Sequence, residues 1–67
     1  MKVFGERLKE LRLESKLTTK ALGKKVGVSD TTICRWELNQ CEAKAPEIVK
    51  LAQLFKVSTD YLLGVED

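Results

Sequence analysis

The sequence predicts a compact all-α domain of five helices, and three observations support this fold class. Apolar residues recur every three or four positions along most of the chain, as on one face of a helix. Gly27, Gly64 and the single proline, Pro46, stand at the ends or first turns of these periodic segments. No run of four or more residues shows the alternation of a β-strand. The chain has 67 residues, which is enough for one small domain, residues 1–67.

The first helix is predicted over roughly residues 3–15, where Phe4, Leu8 and Leu11 form one apolar stripe among charged residues. The second helix begins after Thr18, whose hydroxyl group suits an N-cap. It ends at Gly27, because glycine adopts positive φ without strain.

The third helix begins only two residues later, with Ser29 as its N-cap, and buries Ile33 and Trp36. Asn39 is a suitable left-handed terminator for it. The fourth helix is predicted to start near residues 44–46, and Ser58 caps a short fifth helix. The stripe of the fourth helix comprises Ile48, Leu51, Ala52 and Phe55.

The composition argues against several classes of function. The chain has two cysteines, no histidine and no CxxC motif, which argues against a zinc site and a disulfide framework. No apolar run approaches the ~20 residues that a membrane span needs, and no signal peptide opens the chain. We therefore expect a cytoplasmic protein that is not an enzyme and uses no metal, cofactor or small-molecule substrate.

Charge is distributed unevenly along the chain. Residues 1–40 contain nine basic and five acidic residues, whereas residues 41–67 contain three basic and five acidic residues. Four lysines and no acid lie between Lys16 and Lys25. This asymmetry favours a polyanionic partner such as nucleic acid, and the alternative is a solvated lysine face.

Residues 19–38 form the most specific pattern, a helix, a tight turn and a second helix. Gly23 precedes Gly27 by four residues, and a small residue there allows two helices to cross at close range. An ordinary αα-hairpin needs no such residue, although a purely structural hairpin stays an alternative.

The chain resembles the Cro and lambda-repressor type (XRE-like) family of helix-turn-helix regulators over nearly its whole length. The matching residues are Gly5-Glu6-Arg7-Leu8-Lys9-Glu10-Leu11-Arg12, Leu17-Thr18, Leu22, Gly27-Val28-Ser29, Thr32-Ile33, Arg35-Trp36-Glu37, Lys50-Leu51-Ala52, Val57-Ser58 and Asp60-Tyr61-Leu62-Leu63-Gly64. The resemblance implies a lambda-repressor-like fold with the motif at residues 19–38. It also implies sequence-specific binding of double-stranded DNA and regulation of transcription, in the direction of repression, in a prokaryotic or phage-encoded, nucleoid-associated protein.

The resemblance implies that the third helix enters the major groove. The expected base contacts are Asp30, Thr31, Cys34 and Arg35. Arg35 suits a forked contact to guanine, Asp30 an acceptor for cytosine N4, and Thr31 a methyl contact to thymine. The alternatives are a phosphate contact or solvated charge for Arg35, and a helix-start acid for Asp30.

The expected phosphate contacts are Thr19, Lys24, Lys25, Thr32 and Lys44. Thr19 stands where family members often carry glutamine. After the third helix, family members commonly have a glycine and several basic residues, whereas this chain has no basic residue between positions 38 and 43.

The resemblance also implies an ion pair between Arg12 and Glu37 that orients the third helix, the alternative being two separate solvated charges. Trp36 is expected in the core. Cys34 and Cys41 are expected to be reduced thiols, with a redox-sensing role for Cys34 as the alternative.

A two-fold homodimer on an inverted-repeat operator is expected, as in the family. The proposed dimer surface comprises the exposed apolar candidates Val57, Leu63 and Val65, with Tyr61 at its edge. The alternative function is an antitoxin-like protein-interaction module with the same fold.

Overall fold

The computed structural model describes residues 2–65 and contains five helices in this part of the chain, with no strand among them. They are α1 (Lys2–Glu14), α2 (Thr19–Val26), α3 (Asp30–Glu37), α4 (Ala45–Phe55) and α5 (Thr59–Leu63). The prediction of a five-helix all-α domain is therefore confirmed. None of these helices is long and apolar enough to span a membrane.

The predicted helix starts are confirmed at the level of single hydrogen bonds. The hydroxyl oxygens of Thr18, Ser29 and Ser58 each accept from the backbone N–H three residues on, at 3.0, 3.1 and 3.0 Å. Each hydroxyl satisfies an amide that has no partner inside its helix. Lys44 takes the N-cap position of α4, and its N–H donates to Glu47 Oε1 at 2.8 Å.

Positive φ angles end the helices where the sequence places glycine or asparagine. Gly27 and Gly64 have φ of 81° and 80°, and Asn39 has φ of 59°. The left-handed conformation stops α2 at Gly27, so that Ser29 caps α3 two residues later. This short connection places α2 and α3 at a fixed crossing.

The core lies where the inner faces of all five helices meet. Its largest fully buried side chains include Phe4 and Trp36, whose ring centroids lie 6.4 Å apart in an edge-to-face arrangement. The buried apolar residues are Phe4, Leu8, Leu22, Val26, Ile33, Trp36, Ala43, Ile48, Leu51, Ala52 and Leu62. Because Ile33 and Trp36 belong to this set, one face of α3 is anchored in the core.

Gly23 marks the closest approach between α2 and the start of α3. A Cβ atom at this position would lie 2.6 Å from the carbonyl oxygen of Val28. Any side chain would therefore push the two helices of the motif apart.

Candidate nucleic-acid interface

The outer face of α3 presents the four residues expected to contact bases. Asp30, Thr31, Cys34 and Arg35 are all exposed, whereas Ile33 is fully buried and Trp36 is 2% exposed. The periodicity of the helix separates the two sets, since residues three or four apart share a face. The structure thus brings these four side chains together on one surface.

An ion pair fixes the C-terminal end of α3. Arg12 Nε lies 2.6 Å from Glu37 Oε2, and the Arg12 NH2 group donates to Glu37 Oε1 at 3.2 Å. The two side chains are 12% and 7% exposed. The hydrogen bond to Glu37 raises the pKa of Arg12 above its ordinary value. Such a forked pair holds its geometry rigidly, which suits a role in orienting the helix.

A second contact between α1 and α3 was missed by the sequence reasoning. A Cβ atom on Gly5 would lie 2.6 Å from the Glu37 carbonyl oxygen and 2.7 Å from that of Trp36. The Gly5 N–H donates to Asn39 Oδ1 at 3.3 Å. A glycine inside a predicted amphipathic helix was the available signal, because it often marks a close backbone approach.

A surface cleft of about 240 Å³ is lined by one expected phosphate contact and one expected base contact. Its lining residues are Lys9, Arg12, Thr19, Cys34, Glu37 and Leu38. Thr19 from α2 and Cys34 from α3 therefore lie beside the same depression. Lys9 and Leu38 line the cleft but were not among the predicted contacts. Lys9 precedes Arg12 by three residues, a spacing that places both on one side of α1.

The expected phosphate contacts are more scattered. Lys24 and Lys44 are exposed, and Thr32 is half-buried with its Oγ1 2.9 Å from Ser29 Oγ. Lys25 lines a different pocket of about 290 Å³, together with Leu54 and Phe55 of α4. The structure therefore does not bring Lys25 together with Thr19 in the cleft.

Only some of the residues expected at the dimer surface are exposed. Val65 is 73% exposed, but Val57 and Leu63 are half-buried and pack against the core. The prediction that these two are exposed was wrong, because Val57 in the connection before α5 and Leu63 at the end of α5 both pack against the core cluster. Tyr61 is half-buried beneath Arg7, whose guanidinium carbon lies 4.3 Å from the ring centroid and which also donates to the Tyr61 carbonyl oxygen.

Both cysteines are exposed and unpaired by a disulfide. Among residues 2–65, no group of three or more histidine, cysteine, aspartate or glutamate side chains is arranged to hold a metal ion.

The chain is similar to known regulators over nearly all of its length. Residues 5–67 match the family model described as a helix-turn-helix domain. The chain is 38% identical over 61 residues to repressor protein C2 of Salmonella phage P22, covering 91% of this chain and 28% of that protein. It is 33% identical over 64 residues to the HTH-type transcriptional regulator ImmR of Bacillus subtilis, covering 96% of this chain and 50% of ImmR. The chain thus spans half or less of the length of these two relatives.

Solved structures show the same architecture. The crystal structure of the P22 c2 repressor protein in complex with a synthetic operator superposes with a TM-score of 0.86 at 35% identity, covering 92% of this chain and 94% of that one. The solution structure of the P22 c2 DNA-binding domain gives a TM-score of 0.84 at 38% identity, covering 91% and 80% of the two chains. The chain belongs to the helix-turn-helix domain family, of the Cro and lambda-repressor type.

Proposed function

We propose that this domain binds double-stranded DNA in a sequence-specific manner by placing α3 in the major groove. The observation that carries the proposal is the two-sided character of α3, with Ile33 and Trp36 buried and four hydrogen-bonding or small side chains exposed on the other side. A helix held in this way presents base-reading groups on a rigid support. The similarity to a repressor solved in complex with an operator supports the same arrangement.

In this proposal Arg35 reads a G·C base pair through a forked contact, and Asp30 and Thr31 lie at the N-terminal end of the same helix. The edge of the cleft contacts the DNA backbone through Thr19 and Lys9. Both can bind a phosphate oxygen, the lysine as a cation and the threonine as a hydroxyl donor. Lys24, Lys44 and Thr32 add contacts at the periphery, and Lys25 contributes less because it lines the pocket beside α4.

The proposed outcome of binding is repression of transcription, without catalysis, on DNA in the cytoplasm. Two relatives are named a repressor and a transcriptional regulator, which supports this class of function. In this proposal the domain contributes the DNA-binding step of repression, through the exposed face of α3 and the contacts that support it.

We further propose a homodimer on an inverted repeat, because one recognition helix covers too few base pairs for useful discrimination in a genome. The two α3 helices would then lie ~34 Å apart on one side of the duplex. The most exposed apolar residue near α5 is Val65, and Val3 is 37% exposed beside Gly64. These residues, together with the exposed parts of Leu63, Val57 and Tyr61, form the proposed dimer surface.

The test is selection of bound sequences from a library of random duplex DNA, followed by affinity measurements at several salt concentrations. We expect enrichment of an inverted repeat with half-sites about one helical turn apart, and an affinity that falls steeply with salt. Recovery of random sequences with equal affinity would contradict sequence-specific binding. A protein that binds no duplex but captures a protein partner after nuclease treatment would favour the antitoxin-like alternative.

A further inference from the structure

We propose that Leu38 is a specificity-determining residue that contacts the 5-methyl group of a thymine in the major groove. The inference rests on the proposed function and names a base-reading residue beyond the four expected on α3. Its basis is the exposure, position and chemistry of one leucine.

Leu38 continues the outer face of α3 by one position beyond the helix. Its N–H donates to the Cys34 carbonyl oxygen at 3.0 Å, so the helical turn is maintained as far as Leu38. Thr31, Cys34 and Leu38 are therefore spaced by three and four residues and form one stripe on the exposed side. The chain departs only at the next residue, Asn39, where φ is 59°.

The stripe is apolar or weakly polar, and charged residues flank it. Asp30 and Arg35 lie on either side of it along the helix, and all of these residues are exposed. Leu38 is 66% exposed although it stands next to the Arg12–Glu37 pair in the cleft lining. An apolar group of a partner that covered Leu38 would remove apolar surface from water, which contributes favourable free energy to binding.

Duplex DNA offers one apolar group on the edges of its bases in the major groove, the methyl group of thymine. Phosphate oxygens and the polar edges of the other bases would lose water to a leucine and receive no hydrogen bond from it. The stripe from Thr31 to Leu38 rises about 10 Å along the helix, which matches about three base-pair steps. In this proposal Leu38 contacts a base farther along the groove than the bases contacted by the first turn of α3.

The experiment replaces each thymine of the selected operator by deoxyuridine, one at a time, and measures the affinity of the wild-type domain and of Leu38→Ala. Uracil lacks the methyl group but keeps the hydrogen bonds of the base pair. At one position per half-site we expect the operator affinity of the wild-type domain to fall about fourfold. This is the change in affinity that corresponds to losing the burial of one methyl group. For Leu38→Ala the same replacement should cause little loss, because the contact is already gone.

Leu13→Ala serves as the matched control, since Leu13 is 56% exposed and does not line the cleft. This variant should keep the full sensitivity to uracil, and the thermal melts of both variants should match the wild type. Equal sensitivity in Leu38→Ala and the wild type, or no sensitive thymine in the wild type, would overturn the inference while leaving DNA binding intact. Failure of the wild-type domain to select any sequence would overturn the proposed function first, and this inference with it.

Discussion

Gly5 lies so close to Glu37 that a Cβ atom on the glycine would sit 2.6 Å from the Glu37 carbonyl oxygen. This contact joins the first turn of α1 to the last turn of α3, and the Arg12–Glu37 ion pair joins the same helices two turns further along α1. Both contacts meet α3 at Glu37, while Ile33 and Trp36 anchor one face of the same helix in the core. The C-terminal end of the proposed recognition helix is thus held by both the backbone and a side chain.

Gly5→Ala should destabilise the domain by ~1–3 kcal/mol, since the carbonyl oxygens that meet the new methyl group belong to backbone. Urea unfolding monitored by circular dichroism measures the change. Glu6→Ala, at the exposed neighbouring position, is the control and should change stability by less than about 0.5 kcal/mol. Equal stability of Gly5→Ala and the wild type would show that α1 and α3 are further apart than in this structure.

Glu37→Gln should destabilise the domain by ~1–3 kcal/mol, because the nearly buried Arg12 loses its charged partner. The double variant Arg12→Met with Glu37→Leu should recover much of that loss, since no charge is then left buried. Both are compared by urea unfolding. If the single change proves as stable as the wild type, the pair contributes orientation without stability.

The same ion pair gives a pH dependence of definite sign. The pKa of Arg12 is raised on folding, so its contribution is fully present below the pKa of the unfolded state and is lost only as pH rises through the folded-state value. We therefore expect no loss of stability from Arg12 between neutral and mildly alkaline pH. A wild-type unfolding free energy that falls in that range, but stays constant in the Arg12→Met and Glu37→Leu double variant, would contradict this assignment.

Gly27→Val should destabilise the domain by ~1–3 kcal/mol through backbone strain alone. Its φ is 81°, and a Cβ atom there would meet no atom within 4 Å, so steric crowding adds nothing. Gly27→Asn is the matched control, because asparagine tolerates the left-handed region better than other residues with side chains. Thermal melts should rank the wild type first, the asparagine variant next and the valine variant last. The reverse order of the two variants would mean that side-chain contacts decide the outcome.

Helix boundaries could be predicted from the sequence because local chemistry determines them. The hydroxyl groups of Thr18, Ser29 and Ser58, together with the glycines at 27 and 64, act within a few residues of their own position. The exposure of Val57 and Leu63 could not be predicted in this way. It depends on how α5 and the connection before it pack against the core, which is a property of the whole fold.

In the candidate site, too, some features could be predicted from local sequence and others depend on tertiary packing. The periodicity of α3 was enough to predict which of its side chains share the outer face. The separation of Lys25 from Thr19 could not be predicted from the sequence, because it depends on the pocket that α2 forms with α4. Lys9 was missed because a charged residue on an amphipathic helix gives no signal of what lies opposite it.

Arg35→Ala should lower operator affinity by ~1–3 kcal/mol and relax the preference chiefly at one G·C pair in each half-site. Lys24→Ala should instead weaken binding to all sequences evenly and reduce the salt slope by ~1. Competition binding against operator variants distinguishes the two patterns. An even loss on every sequence for Arg35→Ala would assign this residue to the phosphate backbone.

Val65→Glu should weaken both self-association and operator binding while the monomer stays folded. Val65 is 73% exposed, so a carboxylate there costs the monomer little, but two copies facing each other across a two-fold axis would bring like charges together. Leu63→Glu is a poorer test, since Leu63 packs against the core and its replacement would also destabilise the monomer. Sedimentation velocity measures association, and circular dichroism checks the fold.

Val49→Glu on α4, at a residue that is 44% exposed, controls for the added charge and should leave association unchanged. A wild-type monomer that occupies a single, non-repeated half-site at full affinity would contradict the dimer itself. Undiminished association of Val65→Glu would contradict only the location of the interface near α5.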